Sequence, residues 1–205
     1  MKRCFIYAAG TFYGLRECPR VGDLQIAADA GLHLCERLGV RPDVVLGDFD
    51  SMDASEAPPD CIRVPVEKDD TDTVFAVKTM VQRGYDDFLL IGVIGARLDH
   101  TLGNVSILLY LDSLGKRAEI VDDYSEMQIV SKDEVSIEDK YPFFSLLNIT
   151  GCARGITIRD AKYPLDGAEI TCEYQYGVSN EVLPGKTAKI SVREGKLLLI
   201  KICRQ

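Results

Sequence analysis

Apolar positions fall along this chain in two textures. Up to about residue 121, short continuous apolar runs (4–9, 24–28, 44–46, 61–66, 88–93 and 118–121) alternate with longer segments whose apolar residues recur at helical spacing. The segment 32–38 reads as a helix stopped by Gly39. The segment 72–83 carries Val74, Val77 and Val81 on one face and stops at Gly84. The segment 101–114 is apolar almost all round, with Leu102, Val105, Ile107, Leu108, Leu109 and Leu111, which predicts a helix buried on every side. Strands that are apolar throughout and alternate with helices predict an α/β fold, with a mostly parallel sheet covered by helices on both faces.

After Asp122-Asp123 the pattern changes. Apolar runs at 127–130, 135–137, 144–149, 155–158, 168–174, 187–192 and 197–202 are separated by Gly, Pro, Asn or Asp, with no helical period between them. Short strands punctuated in this way predict an antiparallel all-β module. Gly195, in Arg193-Glu194-Gly195-Lys196, is the expected tip of a hairpin. The expected boundary gives residues 1–123 and 124–205, joined directly because no low-complexity linker separates them.

Composition narrows the chemistry. A chain of 205 residues with 46% hydrophobic and 27% charged residues describes an ordinary globular protein. No apolar run approaches the roughly 20 residues that cross a membrane. Seven cysteines, an odd number without a C-x-x-C pair, predict free thiols rather than a disulfide framework or a zinc site. With the short apolar start at 4–9 read as a strand and not a leader, the expected compartment is cytoplasmic. A formal net charge of −8 argues against nucleic acid as partner. It favours a cationic substrate or a divalent metal that carries an anionic one.

The candidate chemistry lies in acidic loops of the first part. Gly47-Asp48-Phe49-Asp50-Ser51, Glu67-Lys68-Asp69-Asp70-Thr71-Asp72 and Gly95-Ala96-Arg97-Leu98-Asp99-His100-Thr101 each follow an expected strand, and Asp29 follows another. A parallel sheet brings such loops to one edge. Two carboxylates about 4 Å apart repel by about 4 kcal/mol at an effective dielectric near 20, so converging acids call for a cation. Oxygen-only ligation without a Cys or His cluster points to Mg²⁺, which bridges to substrate phosphates. Asp70-Thr71-Asp72 equally fits a helix N-cap with first-turn acids. Asn104, polar on an apolar helix, needs a hydrogen-bond partner if buried. The stretch 10–22 follows the first strand and is a candidate cover for a nucleotide, but it lacks G-x-x-x-x-G-K-[ST] and is no P-loop.

The motifs Ala28-Asp29-Ala30-Gly31, Gly47-Asp48-Phe49-Asp50-Ser51, Lys68-Asp69-Asp70-Thr71-Asp72 and Gly95-Ala96-Arg97-Leu98-Asp99-His100-Thr101-Leu102-Gly103-Asn104 resemble, in order and spacing, those of thiamine pyrophosphokinases. Tyr163-Pro164-Leu165 and Gly177-Val178-Ser179-Asn180-Glu181 resemble that family's second domain. The resemblance spans nearly the whole chain. It implies a Rossmann-like, ATP-binding catalytic domain at 1–123 and a β-sandwich at 124–205 that binds thiamine and dimerises. The active sites would then lie at the interface of a homodimer. It implies Mg²⁺-dependent transfer of a diphosphoryl group from ATP to thiamine. By resemblance, Asp48, Asp50, Asp69 and Asp72 hold Mg²⁺, and Arg97 holds phosphate oxygens. Asp99 and His100 orient the nucleotide or the attacking hydroxyl. Asp29 and Asn104 also face substrate, and Ser179 and Asn180 line the thiamine pocket.

One departure stands out: some family members hold the substrate rings with tryptophan, and this chain has none. Tyr174, Tyr176 and Phe12 are the candidate faces for a cationic thiazolium. Two rival readings remain open at this point. One is an aspartyl-nucleophile phosphatase using Asp48 and Asp50; the other is a non-catalytic nucleotide- or vitamin-binding module.

Overall fold

The computed structural model describes residues 1–15, 17–47, 62–63, 70–95 and 97–203. They form two compact units, Met1–Asp122 and Asp123–Gln205. In the first unit the strands are β1 (Arg3–Tyr7), β2 (Leu24–Ala28), β3 (Val44–Gly47), β4 (Ile62–Arg63), β5 (Asp87–Ile91) and β6 (Arg117–Val121). They lie in the order β4-β3-β2-β1-β5-β6, every pairing parallel. The helices are α1 (Gly31–Leu38), α2 (Asp72–Gln82) and α3 (Leu98–Ser113). Phe5, Tyr7, Ala27, Leu89 and Ile91 form one face of the sheet and share a core with Leu34 and Cys35 of α1. The alternate residues Ile6, Ile26, Leu46 and Leu90 are equally buried. Strand side chains alternate between faces, so α2 and α3, which touch β1–β3 and β6, cover the second face.

The order encodes the site's location. The chain runs outward from β1 through β2, β3 and β4, then returns to place β5 on the other side of β1. Open α/β sheets bind ligands at such a reversal, outside the carboxyl ends of the strands.

Three expectations for this unit change. The helix expected at 101–114 begins at Leu98, because Arg97 is extended (φ −85°, ψ 103°) and the polar first turn Leu98-Asp99-His100 carries no apolar period. Nor is it buried all round: Ile107, Leu108 and Leu111 are buried, while Leu98 is 67% and Leu102 60% exposed. The stretch after β1, read as a candidate nucleotide cover, takes on a packing role as well: Phe12 is fully buried in the α1-side core, and Arg3 grips both carboxylate oxygens of Glu17.

The second unit is all-β. Its strands are β7 (Ser125–Val130), β8 (Val135–Glu138), β9 (Phe143–Leu147), β10 (Cys152–Arg159), β11 (Leu165–Thr171), β12 (Thr187–Ser191) and β13 (Leu197–Ile202). The antiparallel set β7-β13-β9 and the four-stranded β11-β10-β12-β8 share one core, with Val130, Phe144, Leu146, Leu197 and Leu199 from the first and Ile137, Ile156, Ile158, Ile170 and Ile190 from the second. This is the sandwich expected from alternating short strands. Gly195 is not the tip of a hairpin, because β12 and β13 belong to different sheets. It sits at φ +84° in the crossover, and a Cβ there would come 2.9 Å from Ala153 Cα, so only glycine fits.

At one end of this core Lys201 Nζ lies 2.7 Å from Glu126 Oε2, and Tyr141 Oη donates to the same oxygen at 2.8 Å. Burial acts to raise the Glu126 pKa, but the Lys201 ammonium and the Tyr141 hydroxyl outweigh it and hold the carboxyl below its usual range. Glu126→Ala leaves a buried ammonium uncompensated and is expected to destabilise the protein by about 3–5 kcal/mol, read by denaturant unfolding. A depressed folded-state pKa stabilises above the unfolded value, so this contribution is complete above about pH 5 and is lost as pH falls below about 4. A variant as stable as the parent at pH 7 would contradict this account.

Candidate active site

At the reversal of strand order the first unit encloses a cavity of about 340 Å³, the size of a small-ligand site. Its floor is backbone: Ala8, Ala9 and Gly10 continue from β1, and Gly92–Gly95 continue from β5. Gly10 N–H donates to the Gly92 carbonyl at 2.7 Å, and a Cβ on Gly10 would come 2.6 Å from the Ile94 carbonyl. The two crossing segments can approach this closely only through glycine.

The walls are polar. Asp29, at the end of β2, lines the cavity with φ +48°, a left-handed conformation that Asp tolerates better than most residues. Its N–H donates to the Leu46 carbonyl at 2.7 Å, which fixes the turn. Asp72 enters from the first turn of α2. Thr71 caps that helix, its hydroxyl accepting from Val74 N–H at 3.3 Å. Asp70 is absent from the wall: Lys78 Nζ reaches its two oxygens at 2.8 and 2.7 Å. The cap reading of Asp70-Thr71-Asp72 is therefore correct for Thr71 and leaves Asp72 to the cavity.

From the start of α3 come Arg97, His100, Thr101 and Asn104. Asp99 does not line the cavity. It lies on the exposed side and accepts from Arg97 Nη2 at 2.6 Å and Nε at 3.3 Å. The Arg97 guanidinium holds the Asp99 carboxyl down at about 2. Asn104 is buried and its Nδ2 donates to the Val93 carbonyl at 2.8 Å. Five of the expected site residues, Asp29, Asp72, Arg97, His100 and Asn104, thus surround one space. Asp48, Asp50 and Asp69 lie outside the described residues. Among the described residues, no cluster of three or more His, Cys, Asp or Glu side chains is arranged to hold a metal ion.

In the second unit the segment 177–180 is zipped along the edge of β9. Leu146 N–H donates to the Gly177 carbonyl at 2.7 Å, Phe144 and Asn180 exchange backbone bonds at 2.8 Å, and Ser145 Oγ accepts from Ser179 N–H at 3.0 Å. Ser179 is exposed at φ +58°. Asn180 is buried, with its amide on the backbone of Tyr163: Oδ1 accepts from Tyr163 N–H at 3.0 Å and Nδ2 donates to the Tyr163 carbonyl at 2.8 Å. This clamp fixes the backbone of Tyr163, which is 57% exposed. Of the aromatic residues singled out from sequence, Phe12 is excluded by complete burial. Tyr174 and Tyr176 form an exposed pair with ring centroids 5.5 Å apart.

Residues 20–121 match the family model described as the catalytic domain of thiamin pyrophosphokinase, and residues 126–197 match that of its vitamin B1 binding domain. The chain belongs to the thiamin pyrophosphokinase family. The thiamine pyrophosphokinase of Bacillus subtilis is 27% identical over 186 residues, 87% of this chain and 86% of the relative. A crystal structure of the B. subtilis enzyme superposes with a TM-score of 0.88 at 24% identity over the whole of both chains, which establishes the shared fold. That of the Geobacillus thermodenitrificans protein gives 0.85 at 28% identity, over 97% of this chain and 96% of the other. This is a family of diphosphotransferases. In the present chain Thr101 lines the cavity and Asn180 holds the Tyr163 backbone. Thr101 stood in the sequence motif without a role. Tyr163 stands in the motif Tyr163-Pro164-Leu165 without a role of its own, and its hold by Asn180, 17 residues away, is visible only in the structure.

Proposed function

We propose that this protein transfers the diphosphoryl group of ATP to the hydroxyl of thiamine, giving thiamine diphosphate and AMP. The observation that carries this reading is the cavity at the strand-order reversal, where two carboxylates, a guanidinium and an imidazole converge over a floor of backbone amides. The new bond joins the thiamine oxygen to the β-phosphorus. The bond between that phosphorus and the oxygen retained by AMP breaks. Such in-line transfer rests on positioning and charge neutralisation.

Arg97 is assigned to the phosphate oxygens, for which its planar fork is suited, and His100 to the orientation of the attacking hydroxyl. Asp99 acts through Arg97 by holding the guanidinium. Asp29 and Asp72, both oxygen donors on the cavity wall, fit a hard divalent ion. With Asp48, Asp50 and Asp69 they are the residues we assign to Mg²⁺, which neutralises phosphate charge when bound. In the second unit we assign Ser179 and Tyr163 to thiamine and give Asn180 the task of fixing Tyr163. We also propose a cytoplasmic homodimer, supported by the exposure of Leu98 and Leu102 in the first turns of α3 and by free thiols throughout the described cysteines.

Incubation with ATP, Mg²⁺ and thiamine, with nucleotide products separated by chromatography, tests the reading. AMP is expected in equal amount to thiamine diphosphate, and chelation of the metal abolishes both. ADP as the product would mean an ordinary kinase. A phosphoryl group trapped on an aspartate would mean the phosphatase reading.

A further inference from the structure

We infer that Asn104 and Thr101 are positioning residues: they lock the cavity floor to α3 so that the backbone under the nucleotide and the guanidinium beside it move as one body. The inference rests on the ATP-dependent reaction proposed above.

Residues 92–95 leave β5 by a turn at Gly92 (φ +68°) and run beneath the cavity before α3 begins. On one side this segment is tied to the end of β1 through the bond from Gly10 N–H to the Gly92 carbonyl. On the other side it is tied to α3, there by side chains. Asn104 Nδ2 takes the Val93 carbonyl at 2.8 Å, and Thr101 Oγ1 takes Gly95 N–H at 3.2 Å and points back at the Gly95 carbonyl at 3.4 Å. The two residues are three apart and share one helical face, so a single turn of α3 grips the segment at two points. That turn lies next to Arg97 and His100.

The docking of α3 does not need these bonds, because Ile107, Leu108 and Leu111 supply its buried apolar face. An apolar residue at 104 would satisfy packing equally well. The amide stands where the facing group is a carbonyl that has left the sheet and would otherwise be buried without a donor. Asn104 was expected from sequence to touch substrate. Its geometry assigns it instead to the shape of the surface on which substrate lies.

Asn104→Asp keeps the size and removes the donor, setting two acceptors face to face. Thr101→Val removes the hydroxyl, and Thr101→Ser retains it. Asn104→Asp is expected to raise KM for ATP about 10- to 100-fold, the range of one lost buried hydrogen bond, and Thr101→Val, whose bonds to Gly95 are exposed, about 3- to 10-fold. KM for thiamine should stay close to the parent's, and Thr101→Ser should behave as wild type. Thr101→Val should melt close to the parent. Asn104→Asp, which sets a buried carboxyl against the Val93 carbonyl, should melt several degrees lower, and its ATP affinity is compared well below that temperature. Calorimetric titration with ATP and Mg²⁺ should show the same loss of affinity without requiring turnover. Unchanged ATP affinity in both donor-loss variants would overturn the inference. So would a uniform fall in kcat that merely tracks a lowered melting temperature. A parent protein that binds ATP but forms no AMP would overturn the proposed reaction instead, and the calorimetric comparison would still decide the role of Asn104 and Thr101.

Discussion

Arg97→Ala is expected to lower kcat/KM for ATP by about 10²–10³-fold, the usual consequence of removing one preorganised charge from a transferring phosphoryl group. Arg97 is the cation of the cavity wall among the described residues, and Asp29 and Asp72 beside it would otherwise repel a polyphosphate. Lysine at 97 should recover only part of the loss, because a point charge cannot reproduce the planar fork. Asp99→Asn should be milder, about 10-fold or less, since Asp99 restrains the guanidinium without facing the cavity. The sign of the pH effect follows from the same pair. The Asp99 carboxyl is held near 2 by the Arg97 hydrogen bonds, so the pair survives acidification until pH approaches that value, and Asp99 contributes no inflection between about pH 4 and 7. An inflection in that window that vanishes in Asp99→Asn, or an Arg97→Ala enzyme within a few-fold of the parent, would remove Arg97 from the phosphate site.

The second large effect belongs to thiamine. Tyr163→Ala is expected to raise KM for thiamine about 10- to 30-fold and to leave KM for ATP within about 2-fold. A desolvated cation–π contact of about 2 kcal/mol corresponds to a factor near 30. Tyr163→Phe should retain most of the affinity, because the ring face and not the hydroxyl is what a thiazolium meets. Asn180→Ala should reproduce part of the loss without altering the ring, since it releases both backbone bonds to Tyr163. Tyr174→Ala provides the contrast. If Tyr174→Ala weakened thiamine and Tyr163→Ala did not, the clamp would have no bearing on ring recognition. Lys162 lies 5.7 Å from the Tyr163 ring centroid and pairs with Glu181 at 2.6 Å, so a flat cation would take the remaining face.

The mutual restraint among Asn104, Val93 and the glycine crossing explains how a shallow sheet edge can present charges with fixed geometry. Much of the floor is made of residues with little or no side chain, Ala8, Ala9, Gly10, Gly92 and Gly95, with Val93 and Ile94 between them, so backbone bonds and the two side-chain ties from α3 set its shape. The walls are single residues at helix starts, where the first turn leaves backbone donors unpaired and favours negative ligands. Such a construction separates the two tasks of the site: the sheet supplies position, and the loops supply charge.

Periodicity alone determined the two textures of the chain, the six strands of the first unit and the seven of the second. Burial on one or two faces imposes those spacings locally, whatever the strands' partners. It also made Asp29, Asp72 and Arg97 legible as residues of one sheet edge, where they line the cavity, because acids and a guanidinium in loops that follow strands emerge at the strand ends. What periodicity could not carry was any relation between residues distant in sequence. The exposed flank of α3 carries leucines as apolar as its buried flank. Phe12 could not be told from a surface aromatic until the α1-side core closed over it. The backbone of Tyr163 is held by an amide 17 residues away. Asp70 and Asp72, neighbours in one motif, part company: the first pairs with Lys78 and the second lines the cavity. Each of these was decided by which groups the fold brought within hydrogen-bond reach. That depends on strand order and helix rotation, and neither is written in a local pattern.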